Sequence, residues 1–206
     1  MLKNSIRYVR KNLVPLSVII ICVNALYLRI MFLYRHTLWE DELFSLNMMT
    51  GTFSDLLRLI QKHEFCSYLS GELYLMYPFF KIFSYNKWGL AIPHIISTVI
   101  GFCILYLICK RYFRSIWAYL ITFGIVCFNA TLIKHATEIR VYAVLPTLAL
   151  ATFYMLQRIS DLDFELSTPK RIGAVIFFVL IILFHVYGIL MFAGCLLFTV
   201  LSKRKE

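Results

Sequence analysis

The chain has 206 residues, of which 61% are hydrophobic and 16% are charged, and its mean hydropathy is +0.77. A soluble domain of ordinary composition contains about 25% charged residues, so these values exclude that class and favour an integral membrane protein. The net charge of +10 does not indicate a nucleic-acid-binding protein, because the basic residues lie at the edges of apolar runs, where they mark the cytoplasmic ends of membrane helices. Membrane lipids are therefore expected partners, and nucleic acids are not.

In chain order, six apolar runs predict membrane spans, each of which needs about 20 residues. The runs cover residues 13–33, 68–85, 89–109, 115–133, 141–157 and 174–201. Backbone polar groups in lipid must bond within their own segment, so each run is predicted to be a helix. We therefore predict an all-α fold, a polytopic transmembrane helix bundle of about six spans that forms one domain over residues 1–206. The basic head before the first run predicts a cytoplasmic N-terminus.

The distribution of basic residues leaves two topologies open for this bundle. Six crossings put both basic tails in the cytoplasm, as the positive-inside rule prefers, but they put the basic residues at 110–114 outside. If residues 68–85 instead enter the membrane and return, residues 110–114 lie inside, residues 138–140 lie outside, and the tail at Lys203 becomes external. Six crossings are the favoured prediction.

The outer loop over residues 34–67 is the longest polar interval of the chain. Three consecutive carboxylates follow the first span directly: Glu40, Asp41 and Glu42. One of them could act as a base that takes a proton from a hydroxyl group, although an acidic first turn of a helix would have the same sequence. Further along, apolar residues recur at helical spacing and Thr52 or Ser54 could cap a helix, so two short amphipathic surface helices are predicted.

Polar residues inside or beside the later apolar runs are candidates for substrate binding. Glu138 and Tyr142 are four residues apart, so on a helix they would share a face, and Arg140 could bind a phosphate with two N–H groups. His185 lies deep in the last run and Glu72 near the start of the second, where ionisable groups usually face a polar cavity. The structural alternatives are a charge cluster at the membrane interface and polar side chains bonded to neighbouring helices.

The order of these features resembles that of membrane glycosyltransferases of the GT-C type, and most closely the family 39 branch, which includes protein mannosyltransferases and aminoarabinose transferases. Residues 39–42 resemble the acidic signature of that family's first outer loop. Four further segments are similar to its second helix, the start of its third helix, its Glu-x-Arg-x-Tyr segment and its His-Tyr-containing helix: 73–83, 92–97, 138–142 and 185–188. The resemblance covers about residues 13–200 and corresponds to the first half of the family's fold.

The resemblance implies transfer of a sugar from a polyprenyl-phosphate donor to a hydroxyl group of a lipid, glycan or protein acceptor. The reaction would invert the anomeric centre at the outer surface of a plasma membrane, expected to be bacterial. Asp41 would be the base, Glu42 would assist it, and Arg140 would help to organise the site. The cofactor is left open: some relatives hold a divalent cation near the donor phosphate, and no metal ligand is assigned here.

Departures from the family pattern keep two other functions open. Residues 70–73 lack the Pro and Lys that usually precede the second helix, and the chain has about half of the family's usual number of spans. Both observations favour a catalytically silent membrane subunit or a truncated fragment of such an enzyme. A third hypothesis, a transporter or flippase for lipid-linked sugars, would be supported by an internal repeat, and no convincing repeat is present.

Overall fold

The computed structural model describes residues 2–62, 71–160, 168–184 and 186–203. Every regular element within these ranges is helical, which confirms the all-α prediction. The α-helices are α1 (Leu2–Arg35), α2 (Glu40–Met48), α3 (Phe53–Lys62), α4 (Gly71–Phe83), α5 (Lys87–Tyr112), α6 (Ile116–Cys127), α7 (Ala130–His135), α8 (Leu145–Ser160), α9 (Thr168–Phe184) and α10 (Val186–Lys203), and a turn of 3-10 helix covers Val141–Ala143. Two helices, α1 over Val14–Arg35 and α5, are long and apolar enough to span a membrane.

The antiparallel pair of α1 and α5 defines the two ends of the bundle. Lys87, at the start of α5, donates hydrogen bonds from Nζ to the backbone oxygens of Tyr34 and His36 at the end of α1 (2.9 and 2.8 Å). At the opposite end, Val14 of α1 and Lys110 of α5 line the same small cavity. The end at which α1 finishes and α5 starts is called the carboxylate end, because α2 begins there. The end near Val14 and Lys110 is called the basic end.

The chain returns towards the carboxylate end through α6 and α7. Tyr119, near the start of α6, packs edge-on against Tyr106 of α5 with 6.1 Å between ring centroids. A bend separates α6 from α7, so the predicted span over 115–133 consists of two helices. Arg29 of α1 donates from Nη1 to the backbone oxygen of Cys127 at this bend (3.0 Å). The last carbonyls of a helix have no partner inside the helix, so the buried guanidinium stabilises the break.

Helices α8 and α10 run towards the basic end, parallel to α5. Near the start of α8, Thr147 donates to the backbone oxygen of Ser97, and near its end Gln157 accepts from the Tyr112 hydroxyl at the end of α5 (2.8 Å each). Gln157 in turn donates from Nε2 to the Thr199 hydroxyl of α10 (3.0 Å). The ends of α5, α8 and α10 therefore meet at the basic end.

The prediction of one span over residues 174–201 is wrong, because this segment forms two helices that lie side by side. The rings of Phe178 in α9 and Phe192 in α10 have centroids 5.0 Å apart, whereas a single straight helix would separate these positions by about 21 Å. Gly188 also packs directly against the backbone of Ile181, where a side chain would not fit. The chain reverses between α9 and α10, and this reversal returns α10 to the basic end.

The predicted span over 68–85 corresponds to α4, which has 13 residues and does not cross the bundle. The second half of α4 is bonded to the connection between α2 and α3: the Tyr77 hydroxyl donates to the Gly51 oxygen (3.2 Å) and Lys81 Nζ donates to the Thr50 oxygen (2.8 Å). Because α5 also begins at the carboxylate end, the chain between α3 and α5 starts and finishes at one end. In this respect α4 follows the alternative topology, but the ends of α5 and α10 lie together, whereas that topology separated residues 110–114 from Lys203.

The two short helices predicted in the outer loop are α2 and α3. Of the two predicted caps of α3, Thr52 is the one that forms: its hydroxyl accepts from the Asp55 backbone N–H (3.2 Å), and Asp55 Oδ2 accepts from the Thr52 backbone N–H (2.9 Å). Hydrogen bonds from the Thr52 hydroxyl and backbone N–H hold the pKa of Asp55 below its usual range. The buried side chains of α3 are Leu56 and Ile60, which pack into the core at the carboxylate end.

Two hydrophobic cores connect the helices, and much of the outward surface is apolar as well. The core at the carboxylate end includes Leu46 of α2, Leu56 of α3, Met76 of α4, Leu90 of α5 and Ile139. Exposed apolar side chains cover the outward faces of α1 and α9, among them Leu16, Ile19, Ile20, Val23, Ile172, Val175, Ile176 and Val179. Soluble monomers rarely expose contiguous apolar patches of more than a few hundred Å², and larger patches mark sites of contact with lipid or with another protein.

Candidate functional site

The three consecutive carboxylates form the first turn of α2, and each has a different environment. Glu40 is exposed, the Asp41 side chain is 56% exposed, and the Glu42 side chain is 0% exposed. Negative charge in the first turn of a helix is favoured by the helix dipole, which is one reason why α2 begins at Glu40. Asp41 is therefore accessible to a substrate, whereas Glu42 is enclosed.

Glu42 joins three chain segments through its buried carboxylate. Oε2 accepts a hydrogen bond from His36 Nε2 (2.8 Å) and another from the Trp39 backbone N–H (3.1 Å), and Oε1 accepts from the backbone N–H of Ile139 (2.5 Å). A buried carboxylate is tolerated when it is hydrogen-bonded in this way. These bonds hold α2 against the end of α1 and against a segment that lies 97 residues further along the chain.

Arg140 lies at the same end as Asp41 and contacts it directly. Nη2 is 3.6 Å from Asp41 Oδ2, and Nη1 donates to the backbone oxygen of Asp41 (3.1 Å) and to Ser45 Oγ (3.0 Å). The guanidinium also lies over the Trp39 ring, 6.0 Å from its centroid. These contacts bring together two residues predicted for the site, and phosphate binding by Arg140 stays a prediction.

Glu138 and Tyr142 do not share the face of a helix, because residues 136–140 form a turn followed by a bend. The ring of Pro146 would clash with the backbone oxygen of residue 142 in a continuous helix, so α8 begins only at Leu145. Glu138 instead accepts a hydrogen bond from His135 Nδ1 (2.7 Å), and the Tyr142 ring packs against the His135 ring with 5.4 Å between centroids. Both predicted residues therefore contact His135.

A cleft of about 600 Å³ opens between the end of α1 and the end of α7. Its walls are formed by Phe32, Arg35, His36, Thr37, Trp39, Lys134, His135, Thr137, Glu138 and Tyr142. Four of these side chains can carry a positive charge, whereas the carboxylate in the wall, Glu138, is only 8% exposed. Trp39 lines the cleft and also contacts Arg140, so the cleft adjoins the Asp41–Arg140 pair.

Glu72, another predicted site residue, does not line this cleft. Glu72 lies in the first turn of α4, where the adjacent Gly71 packs against Phe184 of α9. His185 lies outside the described residues. Sequence reasoning missed His36 and Ser45, which bond to Glu42 and Arg140 respectively. A histidine just beyond an apolar run was the one available signal for His36, and Ser45 had none.

The ligands of a metal ion are not evident in this part of the molecule. Within the described ranges, no group of three or more His, Cys, Asp or Glu side chains is arranged to hold a metal ion. The divalent cation that the resemblance allows therefore stays an open prediction.

No protein family, curated protein or solved structure matches the chain.

Proposed function

We propose that this chain is a membrane glycosyltransferase that moves a sugar from a polyprenyl-phosphate donor to a hydroxyl group of a lipid, glycan or protein. The observation that carries the proposal is the contact between Asp41 and Arg140, which lie 99 residues apart in the sequence. A half-exposed carboxylate held by a guanidinium, beside a cleft with four basic side chains, has the parts that sugar transfer from a phosphate donor requires.

Membrane spanning is part of this proposal, with six crossings formed by α1, α5, α6 together with α7, α8, α9 and α10. The exposed apolar faces of α1 and α9 support it, since lipid would cover them. In this arrangement α4 stays at the carboxylate end and is not a crossing. Helices α8, α9 and α10 have 16, 17 and 18 residues, slightly fewer than the roughly 20 that a full span needs.

The charge distribution supports an outward-facing carboxylate end. The basic end includes Lys110 and Arg111 at the end of α5 and Lys203 at the end of α10, and α1 begins in a segment with four basic residues. Cytoplasmic flanks of membrane helices carry such an excess of Lys and Arg. With α4 at the carboxylate end and α9 packed beside α10, the proposal places these basic segments on one side of the membrane, which removes the conflict between the two predicted topologies.

In the proposed reaction, the oxygen of the acceptor hydroxyl attacks the anomeric carbon of the donor sugar. The bond between that carbon and the phosphate oxygen breaks, and polyprenyl phosphate leaves with the bonding electron pair. Asp41 takes the proton of the hydroxyl group, and Arg140 orients the Asp41 carboxylate through Oδ2. Glu42, which is 0% exposed, acts as a positioning residue by holding α2 against residues 139–140.

The proposal is tested by measuring sugar transfer from a panel of polyprenyl-phosphate sugars with the purified chain in membranes. The parent chain should transfer sugar, and Asp41→Asn should reduce the rate by at least about 100-fold, the usual contribution of a general base. Glu40→Gln removes an exposed carboxylate from the same helical turn and is the matched control, with little change expected. Equal rates for the parent and Asp41→Asn would remove Asp41 from the mechanism.

A catalytically silent membrane subunit is the second candidate, and one observation favours it. Arg140 contacts both Asp41 and Ser45. The ion pair between Asp41 and Arg140 therefore also has a purely structural interpretation, in which it joins α2 to residues 138–142. Failure of the parent chain to transfer sugar from any donor, together with lower stability of Asp41→Asn, would support this candidate over the enzyme.

The topology is tested separately by labelling single cysteines in a cysteine-free background with a membrane-impermeant maleimide. Arg58→Cys, on an exposed position of α3, should be labelled in intact cells. Lys110→Cys and Lys203→Cys should be labelled only after the membrane is permeabilised. Labelling of Lys110→Cys in intact cells would overturn the proposed orientation.

A further inference from the structure

Arg29 carries a positive charge into the interior of the bundle. It lies six residues before the end of α1, about 9 Å along the helix axis, and it is only 5% exposed. Nη1 donates to the backbone oxygens of Ala25 (2.9 Å) and Cys127 (3.0 Å), and the guanidinium lies over the Phe102 ring, 5.1 Å from its centroid. Nε is also buried and has no hydrogen-bond partner in the described part of the chain. Because arginine keeps its charge in proteins, these neutral contacts surround a buried cation.

The charge of Arg29 has no acidic partner among the described residues. None of their carboxylates lies within 4.0 Å of the guanidinium. The carbonyl end of α6, which includes the oxygen of Cys127, supplies at most roughly half a negative charge. A large part of the positive charge therefore stays uncompensated inside the protein, and a buried charge is costly unless a counter-charge lies close to it.

A small cavity of about 40 Å³ lies beside this guanidinium, between α1, α5, the bend after α6 and the start of α8, and it is called the Arg29 cavity. None of the described residues in its wall is acidic. Pro146 and Thr147 in this wall belong to the first turn of α8. The first N–H groups of a helix have no partner inside it and carry the positive end of the dipole, which favours anions. The cavity therefore has a positive potential from two independent sources, Arg29 and α8.

The size and the lining of the Arg29 cavity favour a small monovalent anion. A space of this volume holds a particle of about the size of a water molecule, and chloride is only slightly larger, whereas phosphate and sulfate carry four oxygens around a central atom. Much of the remaining wall is apolar, including Phe102, Leu105 and Val126, and it would not replace the hydration of a divalent anion. A water molecule could accept from Nε but would leave the charge unbalanced.

We infer that the Arg29 cavity binds a chloride ion, with the Arg29 guanidinium on one side and the first turn of α8 on the other. The ion would join α1 to α8 by balancing the charge of the one and the dipole of the other. Tyr142 lines both this cavity and the cleft, so the ion would lie behind one wall of the candidate site. The inference uses neither sugar transfer nor the orientation in the membrane, so its failure and the failure of the proposed function are distinguishable.

The test measures the midpoint of thermal unfolding, Tm, of the full chain in maltoside micelles by far-UV circular dichroism. Sodium chloride is titrated against sodium gluconate at constant ionic strength. Chloride should raise Tm along a saturable curve, by about 3–6 °C at about ten times its Kd. Bromide, which has the same charge and a similar size, should act as chloride does. Equal Tm values in chloride and gluconate would overturn the inference, because a cavity that holds only water does not distinguish the two salts.

Three variants locate the ion. Arg29→Met removes the buried charge and should abolish the difference in Tm between chloride and gluconate. Ala143→Val adds two methyl groups to the wall of the cavity, leaves Arg29 in place and should also abolish the difference. Arg58→Met is the matched control, because it removes an exposed cation of α3 outside the cavity, and it should retain the full shift. Persistence of the shift in either cavity variant, or its loss in Arg58→Met, would overturn the site. If Arg29→Met does not fold, Ala143→Val decides the question alone.

Discussion

Replacement of Glu42 by Gln is the most direct test of how the candidate site is assembled. The amide has the shape of the carboxylate, but one of its two ends is an NH2 group that cannot accept a hydrogen bond. In one orientation the Trp39 N–H loses its acceptor, and in the other the Ile139 N–H loses it. A buried N–H without an acceptor costs about 1–3 kcal/mol, and the bond from His36 loses its charged partner at a further cost of about 1 kcal/mol.

We therefore expect Glu42→Gln to lower the free energy of unfolding by about 2–4 kcal/mol. The assay is unfolding of the full chain from maltoside micelles by added dodecyl sulfate, followed by far-UV circular dichroism. Glu40→Gln is the control, because Glu40 is exposed in the same helical turn and contributes at most about 1 kcal/mol through the helix dipole. Equal unfolding free energies for the two variants would refute the argument that Glu42 joins α2 to residues 138–140.

Three further predictions address the packing and the capping of the helices. Gly89→Ala should lower the free energy of unfolding by about 1–3 kcal/mol, because the added methyl group would overlap the Phe83 ring of α4. Gly124→Ala is the control: no atom lies within 4 Å of the added carbon, so the free energy of unfolding should rise by at most about 1 kcal/mol. Phe178→Cys/Phe192→Cys in a cysteine-free background should be joined by a short bis-maleimide cross-linker, detected as faster migration on a denaturing gel, because the two rings pack with centroids 5.0 Å apart; a failure to cross-link would contradict the α9–α10 hairpin. The pKa of Asp55 is lowered in the folded chain, so its stabilisation is complete above its ordinary value of 3.8 and is lost as pH falls through the folded-state pKa. The difference in unfolding free energy between the parent and Asp55→Asn should therefore shrink below pH 3.8.

The candidate site could be predicted in part, since charged residues next to apolar runs are conspicuous in the sequence. Asp41, Glu42 and Arg140 were identified in this way, and the structure brings all three together. Their pairing was not predictable, because it joins positions 97 to 99 residues apart. Burial also separated neighbours that looked equivalent: adjacent carboxylates have side chains that are 56% and 0% exposed.

The sequence by itself determined the helical class and the short helices of the outer loop, and it narrowed the cap of α3 to Thr52 or Ser54, because hydropathy, periodicity and capping are local properties of the chain. Only the tertiary structure decided where the chain reverses. Residues 174–201 contain no Asp, Glu, Lys, Arg or Pro, so neither a permanent charge nor a proline marks the turn between α9 and α10. The reversal depends instead on side-by-side packing, with Gly188 against Ile181 and Phe178 against Phe192. Contacts of this kind form between segments, and no pattern within a single segment contains them.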